Sequence, residues 1–130
     1  GALAGLVAIT AEPLTPGPIT AMVIGSIGAV IMYYGTKLLE SLGLDDVVGA
    51  IPVHMFAGIF GTLVVPLTNA DTSFGTQLIG VISVCIFSFV LSWITFSTLK
   101  STVGLRISRA AEKQGTDKAE VGVIAYSIRD

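Results

Sequence analysis

The sequence is short of charge. Of its 130 residues only 12% are Asp, Glu, Lys or Arg, where soluble domains carry about a quarter. Nine acidic and seven basic residues leave a formal net charge of −2. That gives no basic surface for a phosphate backbone, and no nucleic-acid partner is expected. Cysteine is nearly absent. Cys85 stands alone, so there is neither an internal disulfide nor a thiolate metal cluster, and no redox compartment can be read from it. Histidine is equally scarce. His54 is the single copy, with no Asp or Glu in its apolar stretch to complete a nucleophile–base pair, which removes hydrolase readings. No enzyme activity, cofactor or metal is expected. What the chain has is apolar mass: 52% of residues are hydrophobic, fifteen are glycine, and the mean hydropathy is +0.85. This composition predicts a membrane protein.

The few charges are placed so as to leave long gaps. Pro13–Thr36 and Val47–Ala70 each give 24 uncharged positions, and Thr72–Leu99 gives 28. About 20 apolar residues cross a bilayer core as a helix, so each gap holds one span, near 18–38, 47–68 and 75–100. Gly1–Ala11 is also uncharged but too short to span. It lacks the charged leading region of a signal peptide and reads as the end of a helix begun earlier. Residues 1–100 are expected to form the membrane portion and 101–130 a tail, where Gly115 and Gly122 keep any helix short.

Lysine and arginine then orient the spans. The loops Glu12–Pro18 and Asn69–Gly75 contain neither. All seven basic residues lie at Lys37, beside the middle loop, or from Lys100 onward. Alternating spans put that loop and the tail on one side, and the positive-inside rule makes it cytoplasmic. The expectation is a multi-pass protein of the plasma (inner) membrane with its C-terminus in the cytoplasm.

Small residues mark helix faces. Ala21, Gly25, Gly28 and Ala29 recur at three- and four-residue spacing, as do Gly58 and Gly61. Such faces let membrane helices approach closely, and the Ala21–Ala29 stripe is expected to meet helices outside this chain. His54 lies about eight residues into its uncharged stretch, with Ala50, Ala57, Gly58 and Gly61 at helical spacing. An ionisable group at that depth faces a cavity or the bundle interior. An uncharged imidazole offers one donor and one acceptor, which suits either a narrow conduit or a structural bond to a neighbouring helix. Both readings stay open.

Several stretches in fixed order resemble the ammonium transporter (Amt) family. They are Gly1–Thr10; Asp45–Asp46 followed by Gly49–Ala50 and Pro52–Val53–His54; Ala57–Gly58 with Gly61–Thr62; Gln77–Gly80; Gly104–Arg106; and Gly115-x-Asp117 with Ala125–Tyr126. The block LDDVVGAIPVHMFAGIFGT is similar to the segment carrying the second of that family's two pore histidines. The resemblance covers essentially the whole chain. It implies an all-α polytopic membrane helix bundle, part of an eleven-helix fold, of which this chain would supply the end of helix eight, helices nine to eleven and the tail.

The same resemblance implies transport of ammonium or ammonia across the lipid bilayer, through one narrow apolar pore in each subunit of a homotrimer. His54 matches the second histidine of the pair, and the first would lie upstream. Ala50 matches a pore-lining position, one helical turn toward the cytoplasm on the same face. Asp46, two turns below His54, would sit at the cytoplasmic vestibule. A carboxylate stabilising a helix start is an equally good reading of it. Met55 and Phe60 stand where many relatives have glycine and tryptophan, and both keep the segment apolar. Val121–Gly122–Val123 replaces a His-Gly-Glu triplet. That change removes two polar groups from the tail on which the resemblance would place docking of a nitrogen-regulatory P-II protein.

Two other classes remain. An ammonium sensor built on the same pore domain would carry a long signalling extension after the tail. A structural helical membrane module would need no partner histidine.

Overall fold

The computed structural model describes residues 1–125, and every regular element among them is helical. They fall into two units, Gly1–Phe87 and a second beginning at Ser88.

In the first unit, α1 (Ala2–Ile9) is followed by α2 (Pro18–Ser41), whose first residue is a proline behind Gly17. Proline has no N–H and a fixed φ, so it fits this position without losing a hydrogen bond. At the far end Gly43 turns left-handed, with φ +68°. Its N–H then reaches the Glu40 carbonyl at 3.0 Å, and the Leu44 N–H reaches that of Leu39 at 3.0 Å. This pair of bonds closes the helix and satisfies its last carbonyls.

The third helix is segmented. Ile51–Phe56 forms a wide π-type turn, α3 (Ala57–Val64) continues it, and Val65–Leu67 tightens into a 3₁₀ turn at Pro66. The helix therefore starts some four residues later than the expected position 47. Asp46 through Gly49 form a turn in front of it, closed by the Gly49 N–H on the Asp46 main-chain carbonyl at 3.1 Å.

These helices pack around α1, whose Ala4 and Ala8 are 0% and 1% exposed. The contacts run backbone to backbone. A Cβ placed on Gly5 would stand 3.0 Å from the Gly25 carbonyl oxygen, and one on Gly28 would stand 2.6 Å from the Ala8 Cβ. One on Gly61 would collide with the Ala8 carbonyl. The small-residue faces of α2 and α3 thus both close on α1. This corrects the expectation that the Ala21–Ala29 stripe meets helices outside the chain, because Gly25 and Gly28 already have their partner here. Without a hydrophobic drive between helices in lipid, such close approach is what holds membrane helices together.

α4 (Phe74–Thr102) is 29 residues long and buries none of them. α2 and α4 are both long and apolar enough to cross a membrane. A helix apolar on all sides belongs in lipid or inside a larger assembly. In the second unit, α5 (Arg109–Gln114) is capped by Ser108, whose Oγ accepts the Ala111 N–H at 3.2 Å. A five-residue turn, Asp117–Val121, follows and ends at left-handed Gly122.

Candidate functional site

The segment around His54 is built from its start upward. An α-helix leaves its first N–H groups without partners. Here the Asp46 carboxylate takes two of them: Oδ1 accepts from the Ala50 N–H at 2.9 Å and Oδ2 from the Ile51 N–H at 2.7 Å. Pro52 has no N–H to satisfy, and the Val53 N–H bonds the Gly49 carbonyl at 3.1 Å. Gly49, at φ +69°, supplies the left-handed bend in the turn that brings this carboxylate beneath the helix. The Ile51 N–H holds the Asp46 carboxyl below the usual carboxylate range, with smaller help from Ala50 and Gly49 and some opposition from burial.

Within the wide turn, the Ala57 N–H reaches back five residues to the Pro52 carbonyl. Such a turn holds one residue more than an α-turn. Val53 and Ala57 point inward and form the buried cluster with Ala4, against which Val7 and Met32 pack. Pro52 is fully buried. His54 lies on the exposed side of the same turn, next to Met55, and Ala50 is exposed as well.

The placements predicted from sequence are therefore partly revised. Ala50 and His54 share the exposed side, but the extra residue in the turn means a four-residue spacing does not stack them as it would in an α-helix. Asp46 is not on the helix two turns below His54. It lies in the preceding turn and binds the helix start through its carboxylate, and it borders a cavity of about 90 Å³ that also touches Thr36, Glu40, Asp45 and Pro52. The sequence reading of Asp46 as a carboxylate at a helix start is the one this geometry matches: the acid stands five residues before Ile51, with Gly49 between and Pro52 as the second helical residue. Among the described residues no group of three His, Cys, Asp or Glu side chains could hold a metal.

The loops at the other end are tied together. The Asn69 side-chain amide donates to Glu12 Oε2 at 2.9 Å, and Glu12 Oε1 accepts from the Leu14 N–H at 3.3 Å. In the tail, the two halves of the last motif meet: Asp117 Oδ2 accepts the Ala125 N–H at 2.7 Å. Gly115 makes room for that carboxylate, since a Cβ there would stand 2.6 Å from Asp117 Oδ1. Tyr126 lies outside the described residues.

A family model described as the Ammonium Transporter Family matches residues 1–126. The chain belongs to that family. Among curated relatives, it is 39% identical over 147 residues to ammonium transporter Amt2 of Archaeoglobus fulgidus, covering 97% of this chain and 31% of that protein. It is 32% identical over 143 residues to an ammonium transporter of Corynebacterium glutamicum, with 98% and 32% covered. Ammonium transporter 1 of Schizosaccharomyces pombe is also 32% identical, over 153 residues, with 100% and 31% covered. The chain thus spans about three-tenths of the length of these relatives. Its membership agrees with the helical architecture and apolar spans, and makes it part of a polytopic membrane helix bundle.

Proposed function

We propose that the protein containing this chain transports ammonium or ammonia across the plasma (inner) membrane, through a narrow apolar conduit in which His54 is one of two histidines. The observation that carries the reading is the placement of His54. It is the one histidine of the sequence, it sits in an uncharged membrane segment, and it is exposed where the neighbouring Val53 is buried against Ala4 and Ala57. Family membership and the names of the relatives support the substrate. Ala50 is assigned to the conduit wall and Asp46 to its cytoplasmic mouth, with the C-terminal tail in the cytoplasm and the full protein a homotrimer.

The physical chemistry favours this division of labour. An unpaired ammonium ion in low dielectric is opposed by the full loss of its hydration. Separating ammonia from its proton removes most of that barrier. An uncharged imidazole can bond ammonia with its one donor or one acceptor, while the apolar walls exclude hydrated metal cations.

The test is His54→Leu in the full-length protein. Leucine keeps a similar volume and leaves the partner ring without its bond, at about 1–3 kcal/mol. Assembled trimers should form in normal yield, with ammonium-driven current reduced or with potassium admitted. Wild-type current and wild-type exclusion of potassium in assembled mutant trimers would overturn the conduit role.

A further inference from the structure

We propose that Asp46 is a positioning residue for His54: its carboxylate fixes where the wide turn starts, and through that the direction in which the imidazole leaves the segment. The inference rests on the reading of His54 as part of the conduit and assigns to Asp46 a contribution made through the backbone.

The accounting of backbone donors leads there. Of the N–H groups at the helix start, Ala50 and Ile51 both depend on Asp46. Pro52 has none, and Val53 is served by Gly49. One side chain therefore decides the start of the segment. The other end is held independently, because Ala57 is buried with Ala4 and Gly61 lies against the Ala8 carbonyl. His54 stands between these two anchors, inside the turn that carries the extra residue. A helix that relaxes from the wide turn to ordinary α-winding loses one residue per turn from its register. Side chains on its freed side then rotate by about 100°, the angle between successive α-helical residues. With Ala57 fixed, that rotation falls on His54 and the residues before it. Losing the carboxylate removes both acceptors and frees the start to rewind. Backbone N–H groups at a membrane boundary do not stay unpaired when another winding can pair them.

The experiment uses the full-length protein in liposomes, with ammonium-driven current as the readout, and compares Asp46→Ala, Asp46→Asn, His54→Leu and the double variant Asp46→Ala/His54→Leu. Assembled Asp46→Ala should lose about ten-fold or more in maximal rate, as small misplacements of a working group do. Its half-saturating ammonium concentration should be unchanged. Asp46→Asn should fall between, since its amide oxygen keeps one acceptor, and it carries the comparison if Asp46→Ala fails to assemble. The double variant should be no worse than His54→Leu alone, the non-additivity expected when one residue acts only through another. Additive losses, a raised half-saturating concentration, or a full maximal rate in the assembled Asp46 variants would overturn the proposal. If His54→Leu itself transports as wild type, the conduit reading falls and the positioning role falls with it. If His54→Leu is impaired and the Asp46 variants are not, only the positioning role is lost.

Discussion

The amide of Asn69 bonds the carboxylate of Glu12 across 2.9 Å and 57 positions of sequence. This joins the loop after α1 to the loop before α4, two segments that alternation of spans had placed at the same end. The bond also explains the state of the acid. The Glu12 carboxyl is held below the usual carboxylate range, by the Asn69 amide first and by the N–H groups of Leu14 and Thr15 after it, against a small opposing effect of burial.

A pH dependence follows from that direction. With its folded value lowered, Glu12 contributes stability that is fully present above the ordinary carboxylate range and is lost as pH falls through the lowered value. Asn69→Ala removes the largest cause, so the Glu12 titration should move upward toward the ordinary range. Carbon-13 NMR of the Glu12 carboxyl in wild type and variant would read the shift. An unchanged midpoint would show that the bond does not persist in solution.

Labelling tests the orientation. A cysteine introduced in the Asn69–Gly75 loop of an otherwise cysteine-free full-length protein should react with an impermeant maleimide in intact cells. One introduced beside Lys113 should react only after permeabilisation. The reverse pattern would invert the assignment made from the seven basic residues.

Two glycines of α3, three residues apart, should respond differently to alanine. At Gly61 the new methyl meets the Ala8 carbonyl, a backbone atom that cannot turn aside, so α1 and α3 must separate. Overpacking of this kind costs about 1–3 kcal/mol. At Gly58 a Cβ finds only the Val7 Cγ1 at 3.7 Å, ordinary contact, and the stiffer unfolded chain should stabilise by about 0.4–1 kcal/mol. Thermal unfolding of the detergent-solubilised protein should rank Gly58→Ala above wild type and Gly61→Ala below it. Equal melting temperatures for the two variants would contradict the close approach to α1.

Residues 1–130 expressed alone should not conduct ammonium. α4 buries none of its residues, and His54 faces away from the packed helices, so one wall of any conduit must come from elsewhere. Saturable ammonium uptake by this piece in liposomes would refute the expectation.

Much of the fold was legible in the residues because its signal is local. Uncharged runs longer than a bilayer crossing, bounded by Glu12 and Lys37, by Asp46 and Asp71, and by Asp71 and Lys100, are visible without knowing which helix touches which. Pro18 marks the start of α2, and Gly115 and Gly122 confine the tail helices. His54 stood out for the same reason, as the single histidine of the sequence, set deep in an uncharged run. The partner of the Gly25 and Gly28 stripe was not legible. Small residues announce a close approach but carry no information about the opposite surface.

The amino-acid sequence by itself determined that this chain crosses a membrane, how many crossings it has room for, and which residue in them is chemically unusual. All of these depend on the cost of placing charge or unpaired backbone in lipid, which each residue carries wherever it sits. Tertiary structure alone decided that α1 is the helix on which α2 and α3 close, that Glu12 and Asn69 meet, and that, of the two roles open to Asp46, its carboxylate grips the start of the His54 segment. Those outcomes depend on the direction of individual N–H groups and carbonyls once helices have packed. A wide turn at Pro52 or a left-handed Gly49 changes such directions without changing the hydrophobic pattern from which the spans were read.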